Sequence, residues 1–434
     1  MDDTMRQAMR DGVVRAVEQE MSALFDVLVA AASMPLEQAE VLTQTGVLAI
    51  GAQVLAASIA ARGTGKAGAR DVCACGGQAT CEGYRTKAVQ TVVGWIEVRR
   101  AYYHCQTCHH GHAPLDQSLG LGRDSHSPRV RRLASQFGAL LPFTQAAATL
   151  SAATRIQLSP STLRVVSEAV GTRREVALQH QVAHAWQDGV PEHTGPTSAR
   201  LYVAMDGVRI MSTTGDGKEA KVGVVVPEGS GLDGAVDRAD ASYVASFETA
   251  AAFGPRLALE AHRRGIDAAG EVIVLGDGAE WIWNLADEHF PQATQILDWY
   301  HASERIWELG RALYGETSPR GTAWVAQQLT LLAAGDVQRL VRNWRRRSCT
   351  GSVALVRDAQ VTYFTNQAER MAYDEYRARG LDIGSGMVES ACKDVIGTRE
   401  KGPGMRWSVD GAQAIANVRV LVLNNQWDDY DLAA

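Results

Sequence analysis

The stretch "YVAMDGVRI" (Tyr202–Ile210) places one aspartate, Asp206, inside a run of strand-forming residues. A strand this apolar is expected in a protein core, where an ionised carboxylate costs several kcal/mol unless a partner compensates it. Because Asp-Gly is also the strongest short hairpin signal, a turn at Asp206-Gly207 is the alternative. That turn leaves hairpin arms of only four residues, and the apolar register continues from Val208 to Met211. We therefore predict that Asp206 lies within a strand.

The stretch "VIVLGDGAEW" (residues 272–281) repeats this pattern, because an apolar strand ends in Asp277-Gly278. Two aspartates on strands of the buried type suggest a shared partner. A divalent metal ion would explain both, since Mg²⁺ takes oxygen ligands and carboxylates can hold one or two such ions beside a phosphodiester. A hairpin turn stays open as the alternative for Asp277. Asp216-Gly217, which polar residues flank, is predicted to be such a turn.

A third carboxylate is expected on a helix that packs against the sheet. Glu389 lies near the start of a helix that we predict from about Gly386. An acidic residue is also favoured in any first turn by the helix dipole, so its position alone does not assign a role. The residues themselves do not separate Glu389 from three other acids, namely Glu369, Glu375 and Asp382.

The segments around these acids predict an α/β sheet. Strand candidates at 200–213, 218–227 and 241–248 are followed by alternating helical and strand patterns up to about residue 300. Strands followed by alternating helices and strands are typical of a mixed α/β sheet. Residues 301–380 are helical in pattern, as are residues 1–61. The sequence therefore predicts a multidomain α/β protein.

Composition is that of an ordinary globular chain, with 46% apolar and 21% charged residues. The longest apolar run, Val47 to Ala61, is shorter than the roughly 18 residues of a membrane span, so we expect no membrane segment. Seven cysteines in 434 residues do not indicate a disulfide framework. We therefore predict a cytoplasmic protein.

Charge is distributed unevenly along the chain, although the net charge is −6. Residues 1–61 carry 8 acidic and 3 basic side chains, whereas residues 62–170 carry 13 basic and 6 acidic ones. A basic region in an otherwise acidic chain indicates a locally bound anionic partner, and DNA is the leading candidate.

Two close cysteine pairs, "CAC" (73–75) and "CQTC" (105–108), are separated by sequence with strand character. Cys73, Cys75, Cys105 and Cys108 can surround one tetrahedral Zn²⁺, as in a zinc ribbon. The first pair is C-x-C rather than the usual C-x₂-C, so other nearby ligands stay open: Cys81, His104, His109, His110 and His112. Ordinary reduced thiols are the remaining alternative. Cys349 and Cys392 are isolated in the sequence and are predicted to be structural.

A helix-turn-helix candidate lies at residues 143–171. Ser159 as N-cap and Pro160 in the first turn are strong signals for a helix start. The second helix would present Ser161, Thr162 and Arg164 to the major groove. Two packed helices of a bundle explain the same pattern, and the local excess of arginine favours DNA binding.

With these residues in view, the chain resembles bacterial insertion-sequence transposases of the ISKra family, within the DDE superfamily. The resemblance runs from about Val72 to Trp427. The motifs that carry it are "CACGGQA", "KAVQTVVGWIEVRRAYYHCQTCHHGHAPLD", "YVAMDGVRI", "LGDGAEWIWN", "ILDWYHASE", "GSGMVESACKDVIGTRE" and "GPGMRW". The C-x-C spacing of the first cysteine pair is part of the family pattern.

The resemblance implies a ribonuclease-H-like mixed sheet with Asp206, Asp277 and Glu389 as catalytic triad and as ligands of Mg²⁺ (or Mn²⁺). The spacing of 112 residues from Asp277 to Glu389 then includes an all-α insertion. Asp298 and His301, which also match the family pattern, are expected to line the active site without being assigned as ligands. The predicted organisation is as follows: a helical N-terminal region (1–70), a zinc ribbon (71–116), a helical, helix-turn-helix-like region (125–186), a catalytic domain (199–300 and 381–427) and the all-α insertion (301–380).

The implied activity is DNA transposition by two-metal phosphoryl transfer. Water cleaves the DNA at the transposon end, and the released 3′-hydroxyl then attacks target DNA. The expected partners are the terminal inverted repeats, target double-stranded DNA and at least one further copy of the chain. The segments "RNWRRR" (342–347) and "TREKGPGMRW" (398–407) are either DNA-backbone contacts or ordinary solvated charged faces.

Two alternatives keep part of this prediction. One is a metal-dependent nuclease that lacks strand transfer. The other is a zinc-ribbon DNA-binding regulator whose α/β domain is not catalytic.

Overall fold

The computed structural model of the protein describes residues 3–30, 33–189, 197–228 and 241–427. The chain forms two compact units, which divide between Val170 and Gly171. Elements that begin in the first unit are, in chain order, α1 (Asp3–Ala30), α2 (Leu36–Ala61), β1 (Arg70–Val72), β2 (Gln78–Thr91), β3 (Gly94–Cys105), β4 (Gly111–His112), α3 (Pro114–Ser118), α4 (Pro128–Leu140), α5 (Phe143–Thr154) and α6 (Pro160–Asp188).

The part of residues 1–61 that the structure describes is mainly helical, as predicted, and the helices α1 and α2 pack against each other. One side of α2, which includes Leu55 and Ile59, also packs on the apolar side chains of Ile96 and Val98 in β3. By length and composition α2 as a whole is apolar enough to cross a membrane, and the expectation of no membrane segment stays a prediction. A single helix of this kind is weak evidence for a membrane span.

The strands β1 to β4 form a small antiparallel sheet in the order β1-β2-β3-β4. Its main part is the long β2–β3 hairpin, which closes at the Thr91↔Gly94 pair. Ala79, Ala101 and Tyr103 are buried together with Cys73 and Cys105. The sheet therefore carries its cysteines at one end of a small core.

The predicted helix, short connection and second helix are confirmed in α5 and α6. The α5 helix ends at Arg155, which adopts a left-handed conformation with φ of 61°. Ser159 Oγ accepts a hydrogen bond from the Thr162 backbone N–H at 3.0 Å, so Ser159 caps α6 as predicted. Leu150 and Leu163 are fully buried in the core of this region. Its binding to DNA stays a prediction.

The second unit contains a five-stranded sheet and many helices. Its elements are β5 (Arg200–Met211), β6 (Gly217–Pro227), β7 (Ser242–Ser246), α7 (Ala250–Arg263), β8 (Glu271–Gly276), α8 (Glu280–His289), β9 (Thr294–Leu297), α9 (Trp299–Tyr314), α10 (Pro319–Ala333), α11 (Val337–Arg345), α12 (Gly351–Asn366), α13 (Tyr373–Ala378), α14 (Gly386–Cys392), α15 (Thr398–Glu400) and α16 (Val409–Leu423). A π-helical turn, Lys393–Gly397, joins α14 to α15.

The sheet has the strand order β7-β6-β5-β8-β9, with β5 at its centre. The β6 strand runs antiparallel to β5 and β7, whereas β5, β8 and β9 are parallel. Asp206 pairs with Val222 inside an uninterrupted β5, so the alternative of a turn at Asp206-Gly207 is wrong. The turn predicted near Asp216-Gly217 connects β5 to β6, but it lies at residues 212–216, and Gly217 is already the first residue of β6.

Helices cover the sheet and separate its last strand from the helix of Glu389. The α14 helix packs on β5 and β6, and α16 packs on β7. The described chain between β9 and α14 contains helices and no strand, as the pattern of residues 301–380 predicts. The protein is therefore a multidomain α/β protein with mixed sheets, many helices and a cysteine cluster. The finer division into five domains stays a prediction.

Candidate active site and metal centre

Each of the three parallel strands has an aspartate: Asp206 lies in β5 just beyond its pairing with β8, and Asp277 and Asp298 directly follow β8 and β9. Ala204 of β5 pairs with Leu275 of β8, so Asp206 and Asp277, each two residues further along, lie side by side. The Asp298 backbone N–H donates to Gly276 O at 2.9 Å, which places Asp298 next to Asp277 at the end of β9. This edge of an open α/β sheet is where ligands commonly bind.

Asp206 is a partly buried carboxylate in the central strand. Its Oδ1 accepts a hydrogen bond from the Gly207 backbone N–H at 2.6 Å. Burial and the neighbouring charge of Asp277 raise the pKa of Asp206. Burial is the larger of these two causes, and a divalent cation would offset the contribution from the charge of Asp277.

Asp277 lies in a tight turn that a helix from the all-α segment holds in place. Its Oδ1 accepts from the Ala279 N–H at 2.9 Å, and Gly278 has a φ of +98°. A Cβ at Gly278 would lie 2.5 Å from the Tyr363 hydroxyl. That hydroxyl donates to Asp277 O at 2.8 Å, and Gln367 Nε2 donates to Gly278 O at 3.2 Å. The α12 helix therefore fixes the position of Asp277.

Asp298 is completely buried and forms a dyad with His301. Its Oδ2 accepts from the His301 backbone N–H at 3.0 Å and from Nδ1 at 2.6 Å, while Oδ1 accepts from the Ser385 N–H at 2.8 Å. Burial opposes ionisation of Asp298, but these hydrogen bonds outweigh it and lower its pKa. The bond to Asp298, with the charges of Asp277 and Asp206, raises the pKa of His301.

Glu389 lies on the first turns of α14, and its side chain is exposed. Ser385, at the start of this helix, has its Oγ 3.5 Å from Glu389 Oε1. Ligand atoms of Glu389, His301 and Asp298 all lie within 4.8 Å of one another. Of the four acids that the sequence did not separate, only Glu389 belongs to such a group in the described chain; Glu375, for example, pairs with Arg379 at 3.4 Å.

The same helix connects Glu389 to Asp206 through Cys392. The Cys392 Sγ lies 3.7 Å from Asp206 Oδ2, and Cys392 is buried. The structural role predicted for Cys392 stays a prediction, and its contact with Asp206 is a neighbour that the sequence did not indicate. A single residue offers no spacing signal, so the sequence could not have revealed this contact.

The structure thus brings the three predicted site acids to one region, but not into one tight group. Asp206 and Asp277 are adjacent by strand register, and Glu389 reaches the same edge beside His301. In the part of the chain that is described, no single set of oxygens within 4.8 Å contains all three. Their carboxylate oxygens suit Mg²⁺ or Mn²⁺, and a site that is divided among several carboxylates can hold two ions.

The second candidate metal centre consists of the four predicted cysteines. Ligand atoms of Cys73, Cys75, Cys105 and Cys108 all lie within 4.8 Å of one another. Two of the Sγ–Sγ separations, Cys73–Cys108 and Cys75–Cys105, are 3.6 Å. A tetrahedral Zn²⁺ with sulfur ligands at about 2.3 Å requires roughly 3.8 Å between sulfurs. The cluster is therefore compatible with zinc binding.

Backbone geometry prepares Cys105 for metal binding. The backbone N–H groups of Cys108 and Thr107 lower the pKa of Cys105 to about 6, which favours the thiolate that zinc requires. A Cβ at Gly77 would approach Cys105 Sγ to 3.2 Å, so a glycine allows the two loops to meet. Cys81, one of the alternative ligands, lies outside this group and has its Sγ 3.9 Å from Gly83 O.

The two basic segments differ in exposure. In residues 342–347, Arg342, Arg345 and Arg346 are exposed. In residues 398–407, Arg399 is 1% exposed and cannot contact DNA, contrary to the expectation for that segment. Lys401 and Arg406 are the exposed cations there.

A model of the uncharacterised protein family UPF0236 matches residues 77–426. The chain belongs to this family. The match includes both candidate metal centres except for Cys73 and Cys75. No curated protein matches the chain.

Proposed function

We propose that this UPF0236 protein is a DDE-type transposase, which cleaves DNA at the ends of an insertion sequence and transfers the 3′-hydroxyl to target DNA. The observation that carries the proposal is the convergence of Asp206, Asp277 and Glu389 at the carboxyl edge of the mixed sheet. The motifs that resemble ISKra-family transposases provide independent support.

The sheet order supports a ribonuclease-H-like catalytic domain. The central strand β5 carries Asp206, its parallel neighbour β8 ends at Asp277, and β6 is antiparallel. Glu389 is provided by a later helix that packs on β5 and β6. The helices between β9 and α14 correspond to the proposed all-α insertion.

In this proposal, the backbone holds Asp206 and Asp277 in place, while Glu389 approaches from the exposed side of α14. Bound Mg²⁺ or Mn²⁺ would activate the attacking hydroxyl and stabilise the leaving oxygen. The protein forms no covalent bond to DNA, since phosphoryl transfer needs mainly positioning and charge stabilisation.

The small sheet of the first unit offers a surface for DNA backbone. Tyr84 is 45% exposed, and the Arg99 guanidinium lies 4.6 Å from the centre of its ring. Arg85 stacks in the same way on Tyr102 at 3.4 Å. Exposed arginines held on aromatic faces suit contacts to phosphate, as does the basic character of residues 62–170. We assign this sheet as a zinc ribbon that acts with α5 and α6 on the terminal repeats in a cytoplasmic homo-oligomer.

The decisive experiment is a metal-dependent cleavage and strand-transfer assay with DNA that contains the cognate ends. Asp206→Asn, Asp277→Asn and Glu389→Gln should each reduce cleavage by about 100-fold or more while DNA binding remains. Glu369→Gln, which removes an exposed acid outside the site, is the matched control and should cleave normally.

Other results would favour the alternatives. Cleavage without joining of the 3′-end would indicate a nuclease. Normal cleavage by all three variants would show that the assigned triad is wrong, and DNA binding without any metal-dependent cleavage would favour a regulator.

A further inference from the structure

The dyad of Asp298 and His301 occupies the space beside Glu389 and has no role in the three-carboxylate scheme. Asp298 is 0% exposed and both of its oxygens already accept hydrogen bonds from N–H groups, which favours a supporting role for it rather than metal binding. His301, by contrast, is 35% exposed. The two residues therefore differ in their access to a bound ion.

The hydrogen bonds of His301 leave one ring nitrogen for a ligand. Nδ1 faces Asp298 Oδ2 at 2.6 Å, and a carboxylate can only accept, so Nδ1 carries the proton. Nε2 has no hydrogen-bond partner among the described residues. A metal-binding histidine typically donates its other ring N–H to a carboxylate, which fixes the ring and increases the basicity of the ligating nitrogen. Asp298 and His301 have this arrangement.

The surroundings of His301 are those of a cation site. One of its ring nitrogens lies within 4.8 Å of a Glu389 oxygen, a limit that two ligands of one small divalent ion satisfy. The charges of Asp277 and Asp206 also act on the ring. The acids that face His301 therefore come from β5, β8, β9 and α14.

We propose that His301 is a metal ligand, which binds one divalent ion through Nε2 together with Glu389, and that Asp298 is the positioning residue that orients it. This inference rests on the proposed function for the location of the ions. A nitrogen ligand among carboxylates shifts the preference of the site from Mg²⁺ towards Mn²⁺ and later transition metals.

Asp298 also couples this ligand to Glu389. Its Oδ1 accepts from the backbone N–H of Ser385, the residue at which the Glu389 helix begins. The buried carboxylate of Asp298 therefore fixes both the orientation of the His301 ring and the position of the start of α14. Both ligands of the proposed ion are thus positioned by the same side chain.

The test is pulsed electron paramagnetic resonance of Mn²⁺ added to the zinc-loaded full-length protein, because ¹⁴N modulation reports directly on a coordinated imidazole. The wild-type protein should show this modulation, and it should disappear in His301→Ala. The affinity for Mn²⁺ should fall by about 10- to 100-fold in that variant, and the affinity for Mg²⁺ by much less. Asp277→Asn removes a charge that acts on the His301 ring, and a changed ¹⁴N modulation in this variant would show that the signal comes from this site.

A matched control is His262→Ala. His262 Nδ1 faces Asp267 Oδ2 at 2.5 Å, so it is also a histidine–aspartate pair, but it belongs to no candidate metal group in the described chain. This variant should keep the ¹⁴N modulation. Asp298→Asn should retain Mn²⁺ but with altered modulation, since the amide can present an N–H to the ring instead of an acceptor.

Absence of ¹⁴N modulation in the wild-type protein, its persistence in His301→Ala, or failure of Mn²⁺ to bind would overturn the inference. If DNA is cleaved with Mg²⁺ while the modulation is absent, the proposed function stands and the His301 ligand does not. If the modulation is present but no DNA is cleaved with any metal, His301 is a ligand and the proposed function is wrong.

Discussion

The Sγ of Cys392 lies 3.7 Å from Oδ2 of Asp206, although 186 residues separate them in the chain. Cys392 follows Glu389 by three residues on α14, so this contact connects the helix of one candidate catalytic acid to the strand of another. Burial and the charge of Asp206 raise the pKa of Cys392. The thiol therefore stays protonated beside the carboxylate.

This contact predicts that Cys392 resists alkylation in the folded protein. Only the thiolate reacts, and burial further blocks the reagent. Iodoacetamide at pH 8 should modify Cys392 at least about 10-fold more slowly than Cys349, which is partly exposed. Mass spectrometry of timed samples measures both rates, and denaturation should make them equal. Equal rates in the native protein would show that α14 does not pack on β5 as described.

The secondary structure around these residues was predictable because local patterns encode it. The apolar register on both sides of Asp206 predicted an uninterrupted strand, and Ser159-Pro160 predicted the start of α6; both are observed. The four cysteines were predicted as one group from their pairing in the sequence. In each case the information lies within a few neighbouring residues.

The rest of the site depends on contacts between distant segments. Nothing near Cys392 in the sequence indicates that it contacts Asp206, and nothing near Tyr363 indicates its bond to the Asp277 carbonyl. The sequence likewise did not indicate that Arg399 is buried, because charge-rich segments are usually exposed to solvent. Apart from the family resemblance, Glu389 could be separated from the other acids only through its distance to His301.

Zinc should be an integral part of the small sheet. We expect the purified protein to contain close to one zinc ion per chain and Cys105→Ser to lose it. The small sheet should then be less stable, because a structural zinc contributes on the order of 10 kcal/mol to folding. Elemental analysis measures the zinc content, and hydrogen exchange of residues 70–112 measures the stability of the sheet. Cys81→Ser changes a cysteine of the same sheet outside the cluster and should keep the metal. Zinc retained in Cys105→Ser would contradict the four-cysteine assignment.

The stability of the second unit should depend on pH through Glu400. Glu400 is 1% exposed, and neither carboxylate oxygen has a hydrogen-bond partner, so burial raises its pKa well above the ordinary value near 4.5. An acid whose pKa is raised by folding stabilises the fold fully below its unfolded pKa. That stability is lost as the pH rises towards the folded pKa, by up to about 1.4 kcal/mol per pH unit.

Glu400→Gln should remove this dependence, because the amide stays neutral at every pH. The free energies of unfolding of variant and wild type should be similar at pH 4.5, and the variant should become the more stable of the two as the pH rises. Urea denaturation at several pH values measures the difference. Glu369→Gln, at an exposed position, should follow the wild type. Parallel curves for Glu400→Gln and wild type would show that Glu400 is ionised in the folded protein.

The hydroxyl of Tyr363 should position Asp277 rather than merely stabilise the all-α segment. It donates to Asp277 O at 2.8 Å, and removing it frees the turn that presents the Asp277 carboxylate. Tyr376 provides a matched control, since its hydroxyl also bonds backbone carbonyls, those of Gln295 and Glu369, without contacting Asp277. Tyr363→Phe and Tyr376→Phe should each lower the free energy of unfolding by about 1 kcal/mol.

Only Tyr363→Phe should also weaken Mn²⁺ binding, by about 10-fold, because only there does the ligand-bearing turn lose its support. Isothermal titration with Mn²⁺ separates this effect from stability, and it requires no DNA substrate. The Arg305 guanidinium, 5.0 Å from the centre of the Tyr363 ring, can stay over the phenylalanine ring that replaces it, so the packing of α12 is preserved. Equal losses of Mn²⁺ affinity in the two variants would mean that the helical segment acts on the site only through overall stability. An unchanged affinity in Tyr363→Phe would mean that the backbone of β8 alone fixes Asp277.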